Sequence, residues 1–152
     1  MNNLAGRIAL VTGAGTGIGQ GIAVALAERG AKVAIHYNSS ADGAKETLRR
    51  IEAFGGDAFI VQGNVSNKEE IDRMTAAVAD RYGGIDILVN NAALQLNRDL
   101  LDYTPEEFDR VFNVNLKGYW QCIQSALPYM KSRPNGRVIL ISSVHGKRPS
   151  DF

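Results

Sequence analysis

One cysteine in 152 residues leaves no partner for an intrachain disulfide, so no covalent staple holds this chain together. Cys122 lies in a helical pattern, which predicts a buried, unreactive thiol in a reducing, cytoplasmic compartment. Neither sign of charge dominates. The 17 Lys and Arg stand against 16 Asp and Glu, a formal net charge of +1, which argues against a nucleic-acid surface or a polybasic membrane anchor and leaves a small molecule as the expected partner. Long apolar runs are missing as well: beyond Met1-Asn2-Asn3-Leu4 the first run is short, far below the ~20 residues of a membrane span. No Cys and His are spaced as metal ligands, so no metal is expected. Low-complexity segments and long linkers are absent too, and with 45% hydrophobic residues the chain 1–152 has the makings of one domain with its own core.

Short apolar runs alternate with longer amphipathic segments, the pattern of strands buried on both faces by crossover helices, and the fold class is predicted to be α/β. The first strand is Ile8-Ala9-Leu10-Val11. The helix after it places Ile18, Ile22, Ala25 and Leu26 on one stripe and ends at Gly30. Val33-Ala34-Ile35 and a helix carrying Ala44, Leu48 and Ile51 make the second unit. In the third, Ala58 to Val61 is the strand, Ser66 with Glu69 reads as a capping box, and Ile71, Met74, Val78 and Tyr82 form the inward face. A fourth strand, Ile85 to Val89, follows. Thr104-Pro105-Glu106-Glu107 then opens a long helix through Phe108, Val111, Phe112, Tyr119, Cys122 and Ile123, and Pro134-Asn135-Gly136 turns the chain into a last strand, Val138 to Ile141. Tyr119 and Trp120 are expected to pack.

Between the first strand and its helix lies Thr12-Gly13-Ala14-Gly15-Thr16-Gly17-Ile18-Gly19. A helix N-terminus presents unpaired N–H groups and partial positive charge, so a glycine-rich turn feeding it can seat a pyrophosphate. Gly13 would permit the tight turn, Gly17 the close approach of phosphate, and Gly19 the packing of helix on sheet, with Thr16 and Ile18 lining the cradle. The spacing satisfies neither G-x-G-x-x-G nor the P-loop, because Gly19 is followed by Gln20 rather than Lys.

That loop resembles the T-G-x-x-x-G-x-G of the short-chain dehydrogenase/reductase family. Further similarities follow in order along the whole chain. Asn90-Asn91-Ala92-Ala93 resembles the family's N-N-A-G, Asn113-Val114-Asn115-Leu116 its helix motif, and Ile141-Ser142-Ser143-Val144 the segment with its serine. The resemblance implies a Rossmann-type doubly wound parallel sheet ordered 3-2-1-4-5, with the dinucleotide across the strands' carboxyl ends. Asn91 and Ala92 would meet the cofactor near its nicotinamide ribose, and Asn64 and Val65 would flank the adenine. The family usually has Asp at the place of Asn64 and Gly at that of Ala93. After the second strand, His36-Tyr37-Asn38-Ser39-Ser40 contains no carboxylate to repel a 2′-phosphate, so Asn38 and Ser39 point to NADP in preference to NAD, although no Arg or Lys stands beside them. His36 is read as a strand-end residue.

The resemblance further implies hydride transfer between nicotinamide and a carbonyl/alcohol substrate, either a 3-oxoacyl thioester or a sugar or other alcohol, in a homo-oligomer. Ser143 would orient the substrate oxygen and Asn115 would anchor a water in the proton relay. The family's proton donor and its lysine form Tyr-x-x-x-Lys. None occurs here: Tyr37, Tyr82, Tyr103, Tyr119 and Tyr129 are followed four residues on by Ala41, Asp86, Glu107, Ile123 and Arg133. The chain is therefore expected to be an N-terminal fragment lacking the last two strands, inactive alone, with Val138 to Ile141 as an exposed edge. A non-catalytic dinucleotide-binding or subunit-docking module is the alternative. His145 is expected to be a surface loop residue, and Asp86 a structural group.

Overall fold

The computed structural model describes residues 3–143 and 146. Val144 and His145 lie outside them. Five parallel strands, β1 (Ile8–Val11), β2 (Lys32–Tyr37), β3 (Ala58–Gln62), β4 (Ile87–Asn90) and β5 (Arg137–Leu140), form one sheet in the order β3-β2-β1-β4-β5. This is the expected doubly wound topology, with strand ends shifted by a residue or two from the sequence reading. Alternate residues of each central strand serve opposite faces. Ile8, Leu10, Ala34 and Leu88 pack with Ile71, Met74, Val78, Cys122 and Ala126 of α3 (Lys68–Tyr82) and α5 (Gly118–Met130). Ala9, Val11, Val33, Ile35 and Val89 pack with Ala23, Ala27, Ala44 and Ile51 of α1 (Gly17–Glu28) and α2 (Ala41–Glu52). Helices thus cover both faces, and the crossovers from β1 and β4 diverge, opening a crevice at their carboxyl ends.

Several local expectations need correction. In α1 the buried positions are Gly19, Ala23 and Ala27, while Ile18 is 68% exposed and Ala25 is also exposed. The helix approaches β1 so closely that its inward line takes only small side chains, and Ile22 and Leu26 flank it half-buried. At α3 the cap is Asn67, whose side chain accepts from the N–H groups of Glu69 and Glu70 (3.0 and 3.3 Å). Ser66 is not the cap, because its N–H and hydroxyl both donate to the Asn64 side-chain oxygen (2.9 and 2.8 Å).

The long helix begins as read. Thr104 and Glu107 form a reciprocal capping box with Pro105 at the first position of α4 (Pro105–Phe112). It then passes through one π turn, Asn113–Lys117, into α5. Phe108 and Phe112 do not face inward; they stack on each other at 4.2 Å between centroids and are exposed, as are Leu116 and Trp120. Spaced four apart, these residues continue one row along the helix. Trp120 is 58% exposed and corrects the packing expectation, whereas Tyr119 is half-buried and its hydroxyl donates to the Ile141 carbonyl (3.2 Å). β5 forms one edge of the sheet, with all four residues exposed. Among the described residues no helix is long and apolar enough to cross a membrane.

Asp86, just before β4, binds the molecule's amino-terminal part to the end of α5. Its carboxylate accepts from the Ile8 N–H (2.9 Å), from Arg7 (3.1 Å) and from both Nε and Nη2 of Arg133 (3.0 and 2.8 Å). This is the structural role expected of it.

Candidate functional site

At the carboxyl edge of the sheet, the loops after β1, β2, β3 and β4 enclose a cleft of about 660 Å³, a size typical of small-molecule sites. Its floor is the turn from β1 into α1. Gly13 takes φ +65° and Gly17 φ +55°, values that glycine alone adopts without strain. A Cβ at Gly17 would meet nothing within 4 Å, so this glycine faces open cleft. One at Gly19 would overlap the Gly13 carbonyl and the Asn91 amide, so Gly19 lets the helix abut its own loop and the segment after β4.

The N-terminus of α1 is left open toward this space. Thr16 stands at the N-cap but makes no side-chain cap bond, and the first turn contains no acidic residue. The N–H groups of Gly17, Ile18 and Gly19 therefore have no intrahelical acceptor, and the helix dipole adds partial positive charge. No Asp or Glu lines the cleft among the described residues, and the one charged side chain in its wall is Arg110 of α4. Such a surface suits an anion.

The loop is held from every side except the cleft. Thr12 is buried; its hydroxyl accepts from the N–H groups of Asn91 and Ala92 (2.9 and 3.0 Å) and donates to the Val89 carbonyl (3.2 Å). The Asn91 side chain returns both amide protons, to the Thr12 and Gly13 carbonyls (2.9 and 3.1 Å). From α2, the Thr47 hydroxyl donates to the Ala14 carbonyl (2.9 Å), and Gln20 of α1 reaches Thr47 and the Gly15 carbonyl (2.8 and 3.3 Å). Gly43 makes room for this contact, since a Cβ there would overlap the Gly15 carbonyl. From β2, the His36 ring accepts the Gly13 N–H (3.1 Å) and its other nitrogen meets the Gly63 carbonyl (2.8 Å). His36 is thus more than the strand-end residue of the sequence reading. Nothing in the sequence singles out Gln20, His36, Gly43, Thr47 or Arg110 as site residues. Each depends on which chain segments meet in space, for which local spacing holds no signal.

Of the residues singled out from sequence, Gly13, Thr16, Gly17, Ile18, Gly19, Asn38, Ser39, Asn64, Val65, Asn91 and Ala92 all line the cleft, with Thr12 buried behind its floor. Asn38 and Ser39 lead to Ser40, the N-cap of α2, which makes no side-chain cap bond. A second helix N-terminus therefore borders the same cleft. Asn64 commits its side-chain oxygen to Ser66, and its N–H donates to Glu70 (2.8 Å). Val65 is buried beneath the start of α5, where a Cβ on Gly118 would stand 2.7 Å from the Val65 carbonyl.

Asn115 and Ser143 are not among the lining residues. Asn115 sits in the π turn and grips the loop after β4, its oxygen accepting the Leu94 N–H (2.8 Å) and its nitrogen donating to the Leu94 carbonyl (2.9 Å). Ser143 follows β5, exposed at the same edge of the sheet, and its carbonyl accepts the Gly146 N–H (3.1 Å). Among the described residues no group of three His, Cys, Asp or Glu could hold a metal ion.

Comparison with known proteins agrees with this architecture. The chain is 42% identical over 140 residues to 3-oxoacyl-[acyl-carrier-protein] reductase FabG of Staphylococcus aureus, covering 92% of this chain and 57% of that protein. It is 44% identical over 142 residues to versicolorin reductase 1 of Aspergillus parasiticus, covering 93% and 53%. Among solved structures, a short chain dehydrogenase of Burkholderia cenocepacia in complex with NADP superposes with a TM-score of 0.92 at 36% identity, covering 97% of this chain and 60% of that one. The chain thus spans little more than half the length of these relatives. The short chain dehydrogenase family model matches residues 7–152, and with the fold, loop and relatives in agreement, this chain belongs to that family.

Proposed function

We infer that the cleft binds a nicotinamide dinucleotide, NADP in preference to NAD, and that the polypeptide is an oxidoreductase passing hydride between it and a carbonyl/alcohol substrate. The observation that carries this reading is the uncapped N-terminus of α1, opening from a side-chain-locked glycine loop into a cleft whose wall has no carboxylate among the described residues. The pyrophosphate would lie against the N–H groups of Gly17, Ile18 and Gly19, with Thr16 beside it. Preference for NADP is supported by the second helix N-terminus, where Asn38, Ser39 and Ser40 offer donors to a 2′-phosphate; among the described residues no acidic side chain lines the cleft, and Asp42 in the first turn of α2 is exposed and paired with Lys45 (3.3 Å). Asn64 and Val65 would border the adenine, and Asn91 and Ala92 the nicotinamide ribose. The relative solved with NADP supports the same assignment.

Bound nicotinamide supplies the hydride donor or acceptor. Ser143 would orient the substrate oxygen toward it. Asn115, though bonded twice to Leu94, keeps one lone pair and one N–H, enough to hold a relay water while it positions the loop after β4. The two relatives are named as a 3-oxoacyl-[acyl-carrier-protein] reductase and a versicolorin reductase; the 3-oxo group in the first name supports a carbonyl substrate, a 3-oxoacyl thioester or a sugar or other alcohol being compatible classes. Titrating the chain with NADPH and NADH tests the reading: tighter NADPH binding is expected, tighter NADH binding overturns the preference, and binding of neither overturns the site.

A second reading, a dinucleotide-binding or docking module without turnover, is favoured by one feature: no Tyr-x-x-x-Lys occurs in these 152 residues. The chain alone is expected to show no hydride transfer, and a robust rate abolished by Ser143→Ala would overturn that. Docking onto full-length subunits through the long helix, whose exposed row is Phe108, Phe112, Leu116 and Trp120, belongs to this second reading; a cytoplasmic location and a homo-oligomer belong to the first.

A further inference from the structure

His36 occupies the end of β2, the strand between β1 and β3, and its ring is almost wholly buried. Its two ring nitrogens meet groups of opposite kind. The Gly13 N–H can only donate, so Nδ1 must accept it (3.1 Å). The Gly63 carbonyl can only accept, so Nε2 must carry the proton (2.8 Å). Neutral imidazole with the proton on Nε2 satisfies both; the other tautomer and the imidazolium satisfy only one or none. The main chain of His36 adds a third bond, its carbonyl accepting the Ala14 N–H (2.7 Å). One residue therefore takes two consecutive N–H groups of the glycine loop, turning them toward β2 and away from the cleft. The ring also joins that loop to Gly63, directly before the Asn64-Val65 wall, so it spans two of the loops that line the cleft.

We propose that His36, as its Nε2-protonated neutral tautomer, is a positioning residue for dinucleotide binding: it sets the shape of the glycine loop and its distance from the wall after β3. This rests on the reading of the cleft as a dinucleotide site. His36 need not touch the pyrophosphate. It acts through Gly13, whose φ of +65° is held by bonds on both its N–H and its carbonyl.

Two substitutions separate the ring's two bonds. Asn at this position can present an oxygen close to the place of Nδ1 and keep the Gly13 bond, whereas Gln reaches toward Gly63 and offers Gly13 nothing. In the full chain, His36→Asn is expected to bind NADPH within about threefold of the parent and His36→Gln at least about tenfold more weakly, with similar melting temperatures. Equal weakening in both, or in neither, overturns the proposal. Nitrogen NMR of the parent chain's His36 ring needs no variant: a proton on Nε2 is expected, and one on Nδ1 overturns the proposal. Failure of the parent chain itself to bind NADPH would instead overturn the site assignment.

Discussion

At Gly19 one methyl group decides whether the loop and helix can meet, because a Cβ would overlap both the Gly13 carbonyl and the Asn91 amide. Gly19→Ala is therefore expected to cost more than the ~1 kcal/mol of an ordinary strained turn and to abolish measurable NADPH binding by calorimetry. Gly17→Ala meets no atom but carries φ +55°, so it should lose about 1 kcal/mol in denaturant unfolding and weaken binding through its strained backbone. Both glycines could be recognised from spacing alone, since a tight strand-to-helix turn demands them wherever it occurs. His36, Thr47 and Gly43 could not. Their importance arises from what β2 and α2 bring beside the loop, and a histidine at a strand end looks the same in sequence whether or not a backbone N–H awaits its ring.

Elements were easiest to read where their determinants are local. The capping box of α4 needs only Thr104, Pro105 and Glu107, and it stands as expected; Thr104→Ala should lower stability by about 1 kcal/mol in urea unfolding. The α3 cap lies one residue beyond the expected Ser66, because Asn67 and Ser66 are both competent caps and the Asx-type turn at Asn64 claims Ser66. For α1 the stripe of large apolar residues pointed to the wrong face. A helix pressed closely on its sheet buries glycine and alanine, whose small size conceals them from an apolar count. Burial pushes the Cys122 thiol up to about 12, so the folded chain should not react with iodoacetamide at neutral pH, while the denatured chain should. Rapid alkylation of folded protein would show that α5 does not pack against the sheet as described.

For the molecule as a whole, one buried carboxylate connects the amino-terminal segment, β4 and the end of α5. Burial tends to raise the Asp86 pKa, but Arg133, the Ile8 N–H and Arg7 outweigh it and hold the group below the ordinary carboxylate range. A depressed folded pKa means its stabilisation is present above the unfolded value of about 3.9 and is lost as pH falls through the folded one. His36 is lowered chiefly by burial, against the opposing pull of the Gly63 carbonyl. The unfolded chain therefore takes up its proton first, and stability should begin to decline below about pH 6.5. Denaturant midpoints measured across pH should show both steps, and His36→Asn should lack the earlier one. Asp86→Ala strands two arginines and the Ile8 N–H, and is expected to cost about 3–5 kcal/mol; a midpoint unchanged by it would remove Asp86 from the framework. Sequence by itself determined the α/β class, the strand order through a family resemblance, and the glycine turn, because alternating apolar patterns and positive-φ turns are local demands. Tertiary structure decided which face of each helix is buried, that Asn115 grips Leu94, and that His36 and α2 lock the loop. Those depend on distances between segments far apart in the chain, which no local pattern specifies.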